Sequence, residues 1–214
     1  MERELLPLAP WDLPIPASDP AWLETLLQPR LALFWGAHTP SRTLLAAATV
    51  LAARGAEVRL FDGGNSFDGY FVARLARRLS SAPEAVLGRL RLSRAFTCFQ
   101  LAELIETAPA ALSPLFVLDL LATFYDESVP LRDSERLLST TLTHLKRLAA
   151  SGPVIVGARQ PRTLATPQPS AEGSATGGAV RERWVLLDRL QAAADHSWML
   201  RTPAVEQPIQ PRLF

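Results

Sequence analysis

Hydrophobic residues occur in short runs that alternate with longer segments of helical periodicity over most of the chain. Most of these runs stop at a glycine or an aspartate, as Leu31 to Trp35 does at Gly36. Continuous apolar runs of this length are typical of strands that are buried on both faces of a parallel sheet. The predicted strands cover residues 31–35, 57–61, 90–92, 115–121 and 153–156.

The segments between these runs have the spacing of apolar residues that predicts helices. The first one stops at Gly55, where a glycine is favoured after a helix. Regular alternation of strand and helix predicts an α/β fold with a twisted, mostly parallel sheet and helices on both faces. Residues 184–187 and 197–200 are expected to close the sheet as an antiparallel pair of strands. The predicted helices cover residues 43–54, 70–79, 99–107 and 133–150.

The chain divides into a proline-rich N-terminal arm, residues 1–29, and a core domain, residues 30–214. Six prolines in the arm leave room for only one short helix. Trp11 and Trp22 either pack the arm onto its own domain or bind a partner chain. Residues 161–180 are rich in Pro, Ser, Thr and Gly without periodicity, which predicts a mobile loop.

Composition narrows the class of protein. The 214 residues are 48% hydrophobic, and 22 Lys+Arg against 21 Asp+Glu give a net charge of +1. No overall field therefore indicates binding to nucleic acid or to an anionic membrane. The single cysteine, Cys98, allows no internal disulfide. With no signal sequence and no apolar run of about 20 residues, a cytoplasmic protein is expected.

The segment from Gly36 to Thr43 follows a predicted strand and begins a predicted helix. It has the length of a phosphate-binding loop, G-x-x-x-x-G-K-[ST]. Ser41 stands at the second glycine, Arg42 at the lysine, and Thr43 keeps the hydroxyl. Pro40 lacks an N–H group that could point at a phosphate. The loop is therefore degenerate, and alone it is a weak indication of nucleotide binding.

Four further segments occur in the order and at the spacing found in RecA-family recombinases. Together they resemble the archaeal and eukaryotic branch of that family and its paralogs, over about residues 31–200. The resemblance implies a RecA-like P-loop fold. The segments are LFDGGNSF at 60–67, RLSRAFTCFQL at 91–101, LFVLD at 115–119 and VIVGARQ at 154–160.

Carried over by position, the resemblance implies roles for several residues at the site. Asp119 matches the aspartate that holds the Mg²⁺ water shell, and Gln160 matches the sensor of the γ-phosphate. Gly64 stands where the family has the glutamate that activates water, and glycine cannot accept a proton. Asp62 and Asp68 are alternative bases, but a turn cap and a helix cap are the favoured interpretations.

Arginines form the densest positive cluster between residues 74 and 94. Arg74, Arg77 and Arg78 lie on one helix face, where they either contact a DNA backbone or form a solvated surface; the second interpretation is favoured. The family's two DNA-facing loops correspond to residues 122–133 and 160–183. The first is acidic and the second has no aromatic residue for stacking on bases. DNA contact is therefore expected to be indirect.

These features predict a non-catalytic accessory protein that acts in DNA recombination or repair by binding a partner, either a recombinase or a second copy. The alternatives are a weak or partner-completed ATPase, and a regulatory RecA-like module unrelated to DNA. No catalytic residue, metal or cofactor is assigned, and weak binding of ATP and Mg²⁺ stays open. The vestigial nucleotide site comprises Gly36, Ser41, Arg42, Thr43, Asp119 and Gln160.

Overall fold

A computed structural model describes residues 26–161 and 176–200, the side chains of the second range from residue 183 onward. All pairings in its six-stranded sheet are parallel, and the strand order is β3-β2-β4-β5-β1-β6. The predicted α/β class with a parallel sheet is confirmed. The strands are β1 (Leu31–Gly36), β2 (Val58–Asp62), β3 (Leu90–Arg94), β4 (Leu115–Leu118), β5 (Val154–Arg159) and β6 (His196–Leu200).

Helices cover both faces of this sheet, as the sequence predicts. Side chains alternate along β1, so that Leu31 and Leu33 pack on one side and Ala32 and Phe34 on the other. The first side carries α4, α5 and α6, and the second carries α1, α2 and α3. The helices are α1 (Ser41–Ala53), α2 (Gly69–Leu79), α3 (Pro83–Gly88), α4 (Cys98–Thr107), α5 (Leu131–Ala149) and α6 (Thr176–Ala193).

The C-terminal part differs from the sequence prediction. Residues 184–187 belong to α6 and not to a strand, and β6 pairs with β1 in parallel. Leu186, Leu187 and Leu190 are fully buried, at the spacing of one helix face, so packing against α5 and β1 decides the conformation. The predicted loop at 161–180 was wrong for residues 176–180, which begin α6; residues 162–175 lie outside the described part.

Two smaller differences lie in the middle of the chain. The strand predicted to reach residue 121 ends at Leu118, because Asp119 takes a left-handed backbone conformation with φ of +50°. The short helix α3 was not predicted, although Pro83 at its first position is a usual start for a helix. No helix in the described ranges is long and apolar enough to cross a membrane.

The end of the proline-rich arm is part of the core. Leu26 is 1% exposed and packs with the residues beneath α1, α2 and α3. Trp11 and Trp22 lie outside the described residues, so their two interpretations stay predictions. The chain is therefore anchored to the domain at residue 26, before the first strand begins.

Arg183 fixes the connection between β4 and α5. It is 7% exposed, and its guanidinium donates to the carbonyl oxygens of Phe124 at 2.8 Å and Val129 at 2.9 Å. The hydroxyl of Tyr125, in the same connection, donates to the carbonyl of Arg159 at 3.0 Å, and burial raises the pKa of that phenol. The connection is thus held to α6 and β5 by buried polar contacts.

Replacing Arg183 by methionine should lower the free energy of unfolding by about 1–3 kcal/mol, because the carbonyl oxygens of Phe124 and Val129, one buried and one partly buried, lose their donor. Urea unfolding at equilibrium measures the change. Arg189→Met, on the same helix, removes a partly exposed ion pair with Glu135 and should cost less than about 1 kcal/mol. We call the two hydrogen bonds that Arg183 donates the buried clamp. Equal losses in the two variants would contradict its stabilising role.

Candidate functional site

The predicted site segments meet at the carboxyl edge of the sheet. Gly36 ends β1, Asp62 ends β2, Asp119 follows β4, and Gln160 follows β5. The backbone N–H of Gln160 donates to the carbonyl of Gly36 at 2.8 Å. Ligand sites of parallel sheets lie at this edge. The structure therefore brings together the segments that the sequence selected.

Asp119 is neutralised by an arginine of the neighbouring strand. Its carboxylate is 1% exposed, and its Oδ2 atom lies 3.3 Å from Nε of Arg159. Its Oδ1 atom accepts the backbone N–H of Arg159, also at 3.3 Å. The resemblance assigns Asp119 to a hydrated Mg²⁺. In this chain a guanidinium from the protein supplies positive charge to the same carboxylate.

Gly64 packs directly against the side chain of Asp119. A Cβ atom added at Gly64 would lie 2.6 Å from Cβ and 2.8 Å from Oδ2 of Asp119. Real Cβ atoms do not approach other atoms so closely. A glutamate at this position, which the resemblance expects, would require Asp119 to move. The glycine at position 64 and the position of Asp119 are therefore parts of one packing arrangement.

Asp62 organises the turn after β2. It is fully buried and accepts the backbone N–H groups of Ser66 at 2.9 Å and Phe67 at 3.1 Å. Nε of Arg94 lies 3.4 Å from its Oδ2 atom. Asp68 accepts the N–H of Phe71 at 2.9 Å and caps α2. The cap interpretations of both aspartates are confirmed.

A chain of hydroxyl groups joins the degenerate loop to Asp62. Ser66 Oγ donates to Asp62 at 3.3 Å, and Ser41 Oγ donates to Ser66 Oγ at 2.7 Å. Because a hydroxyl carries one hydrogen, Thr39 must donate in its 2.7 Å bond with Ser41. All donors thus point toward the buried carboxylate. Ser41, which stands at the position of the loop's second glycine, holds the loop to the turn that follows β2.

The first turn of α1 is occupied by internal contacts. Pro40 at its N-cap makes no side-chain cap hydrogen bond. The guanidinium carbon of Arg42 lies 4.8 Å from the centroid of the Phe71 ring, a cation–π distance. Thr43 is buried. Gly157 of β5 leaves room for Pro40 and Leu44, since an added Cβ there would meet both side chains.

These residues fit a magnesium–nucleotide poorly. The charge of Asp119 is already paired, the ring of Phe71 engages Arg42, and Ser41 and Pro40 remove features that a phosphate-binding turn needs. Gly36 also has a structural reason to be glycine, because an added Cβ would lie 2.5 Å from the carbonyl oxygen of Leu200 in β6. Among the described residues, no group of three or more His, Cys, Asp or Glu side chains is placed to hold a metal.

The arginines of the sequence cluster separate into different roles. Arg74, Arg77 and Arg78 are exposed on α2, whose buried side consists of Phe71, Val72, Leu75 and Ala76. Arg94 pairs with Asp62 and belongs to the carboxyl edge. The sequence analysis did not predict that Arg159 pairs with Asp119. The available signal was the position of Arg159 at the end of a predicted strand, one residue before Gln160.

Comparison with known proteins adds no family. No protein-family model matches the chain, and no curated protein matches it significantly. The resemblance to RecA-family recombinases therefore rests on the sequence motifs and stays a prediction.

Gly64→Ala should destabilise the protein by about 1–3 kcal/mol, because the added methyl group forces Asp119 and its arginine to shift. Gly88→Ala is the matched control, since nothing lies within 4 Å of the added Cβ and neither backbone is in the left-handed region. It should be neutral or stabilising by up to about 1 kcal/mol. Thermal and urea unfolding compare the two. A neutral Gly64→Ala would contradict the close packing on Asp119.

Proposed function

We propose that the chain is a RecA-like accessory subunit without ATPase activity, which acts in DNA recombination or repair by binding a protein partner. The observation that carries the proposal is the contact of Asp119 with Gly64 on one side and Arg159 on the other. It fills the position of the catalytic base and gives the metal-binding carboxylate a counterion from the chain itself.

The sheet order is consistent with the RecA-like part of the proposal. Strand β5, which leads to Gln160, lies between β1 and β4. The degenerate loop, the sensor position and Asp119 are therefore neighbours, as a common nucleotide-binding ancestor would require. Loss of a general base alone typically lowers a rate by 10²–10⁴-fold. Loss of the charges and N–H groups of the phosphate loop adds to that.

A RecA-like domain that does not hydrolyse ATP can still serve in assembly with other subunits. RecA-like cores pack against neighbouring subunits across the nucleotide face, so a copy without chemistry keeps a surface for assembly. The arm at residues 1–25 precedes the anchored Leu26, and Trp11 and Trp22 are the aromatic residues in it. Aromatic anchors carry much of the binding energy at protein interfaces. The arm is therefore the proposed partner segment.

The purified full-length chain should hydrolyse ATP no faster than background, and its affinity for ATP·Mg²⁺ should be no better than high micromolar, about −5 to −6 kcal/mol. Phosphate release and calorimetric titration measure these quantities. Gly64→Glu should not restore turnover, because Asp119 occupies the space. Turnover of a few per second that Thr43→Ala or Asp119→Ala abolishes would overturn the proposal in favour of a weak or partner-completed ATPase.

Removing residues 1–18 should reduce self-association or capture of a partner recombinase while the domain stays folded, because the truncation stops short of the buried Leu26. Circular dichroism and light scattering on the purified chain, with co-purification from the native host, measure the two effects. Trp11→Ala in the full-length chain is the point variant. A truncated chain that unfolds assigns the arm to the core, and one that binds every partner as before places the interface elsewhere.

A further inference from the structure

The outer face of α2 combines a positive charge with an exposed aromatic ring. Helix α2 carries three arginines, Arg74, Arg77 and Arg78, and no acidic residue, in a chain whose net charge is +1. Tyr70, in the first turn of α2, is 93% exposed. Tyrosine is enriched at interfaces, because its ring packs on a partner while its hydroxyl keeps a hydrogen bond.

Helical geometry puts the ring and the charges on one side. Residues 70, 74 and 77 follow the i, i+4, i+7 spacing, so Tyr70, Arg74 and Arg77 form one row. The row is about 10 Å long at 1.5 Å per residue. Val72 and Ala76, across the helix from the row, are buried, which turns the row toward solvent. A shallow cavity beside the row is lined by residues 65–69 together with Tyr70, Ala73 and Arg77.

Few acidic groups oppose this charge. Helix α2 and its neighbour α1 contain no acidic residue, and α3 contributes only Glu84. Asp68 lines the cavity and caps the helix through the N–H of Phe71, and its single negative charge is outnumbered by the three arginines of α2. The face is therefore positive in its surroundings as well as along its row.

We propose that this α2 face binds single-stranded nucleic acid, with Arg74 and Arg77 on phosphates and Tyr70 stacked on a base. Arginine chains beside exposed rings suit single strands, because phosphates take the charges and any base offers a face for stacking. The row therefore offers two positive charges and one ring to adjacent nucleotides of a strand. An acidic protein would use the same charges, whereas a single strand combines a phosphate and a base for stacking at every nucleotide. The inference rests on the proposed function, which places the protein beside DNA.

The α2 face is separate from the two segments that the resemblance assigned to DNA. In the first, residues 122–133, Asp126 accepts a hydrogen bond from the N–H of Ser128, which holds the pKa of its carboxyl below the usual range. That carboxylate keeps its negative charge and repels phosphate. In the second, Arg183 is used in the buried clamp. The positive helix is the better phosphate surface.

Fluorescence anisotropy with a labelled 20-nucleotide oligothymidylate tests the proposal on the full-length chain. We expect a dissociation constant of about 1–100 µM at 50 mM salt, and roughly sevenfold weaker binding at 200 mM, as two phosphate contacts to a single strand would give. Tyr70→Leu should weaken binding by about fivefold or more, whereas Tyr70→Phe, which keeps the ring, should bind like the parent.

Charge variants separate the surface from general attraction. Replacing Arg74, Arg77 and Arg78 by alanine together should weaken binding at least tenfold. The matched control is the double variant Arg132→Ala and Arg136→Ala, which removes exposed charge from α5 on the other side of the sheet and should change binding by less than twofold. Thermal unfolding checks that each variant stays folded.

Three results would overturn the proposal. They are an equal effect of the α5 double variant, a Tyr70→Leu variant that binds like the parent, and competition by a glutamate-rich peptide that matches the oligonucleotide. The last two together would assign the face to an acidic protein. None of these measurements depends on ATP hydrolysis or partner capture, so failure here leaves the proposed accessory role standing.

Discussion

Burial of two carboxylates is the constraint on which the carboxyl edge of this sheet depends. An isolated ionised carboxylate away from water is far too costly for a folded chain, so Asp62 and Asp119 must be paired. Each has an arginine from the adjacent strand: Arg94 is the direct register partner of Asp62 across β2 and β3, and Arg159 ends β5 beside β4. The first pair joins the ends of β2 and β3, and the second pair joins the ends of β4 and β5. The turn at 63–67 folds around Asp62.

The same pairing explains why the residues that suggest nucleotide chemistry turn inward. A hydroxyl chain from Thr39 ends at Asp62, the glycine at 64 admits Asp119, and the charge of Arg42 is engaged by an aromatic ring. Each contact is individually modest. Because Ser41 adjoins Arg42, and Asp62 and Gly64 belong to one turn, a change in one contact would disturb the others, which makes the edge a packed structural unit.

Much of the fold could be predicted, because apolar runs and helical periodicity are local signals, and a parallel sheet buries such runs on both faces. The convergence of Gly36, Asp62, Asp119 and Gln160 could be predicted because each lies at the carboxyl end of a parallel strand. The errors have a different origin: residues 184–187 resemble a strand in isolation, and only burial against α5 makes them helical. The pairing of Asp119 with Arg159 depends on which strands become neighbours, 40 residues apart in sequence, and no local pattern reports that.

Arg159 has a consequence for how such an edge responds to its surroundings. The guanidinium of Arg159 is covalently part of the chain and cannot dissociate from it, whereas a magnesium–nucleotide binds and is released. A site that binds and releases a nucleotide has at least two conformations, which the proteins in contact with it can distinguish. If the edge binds no nucleotide, as we propose, it keeps one conformation at every ratio of ATP to ADP, and a complex built on it would follow the concentrations of the proteins alone.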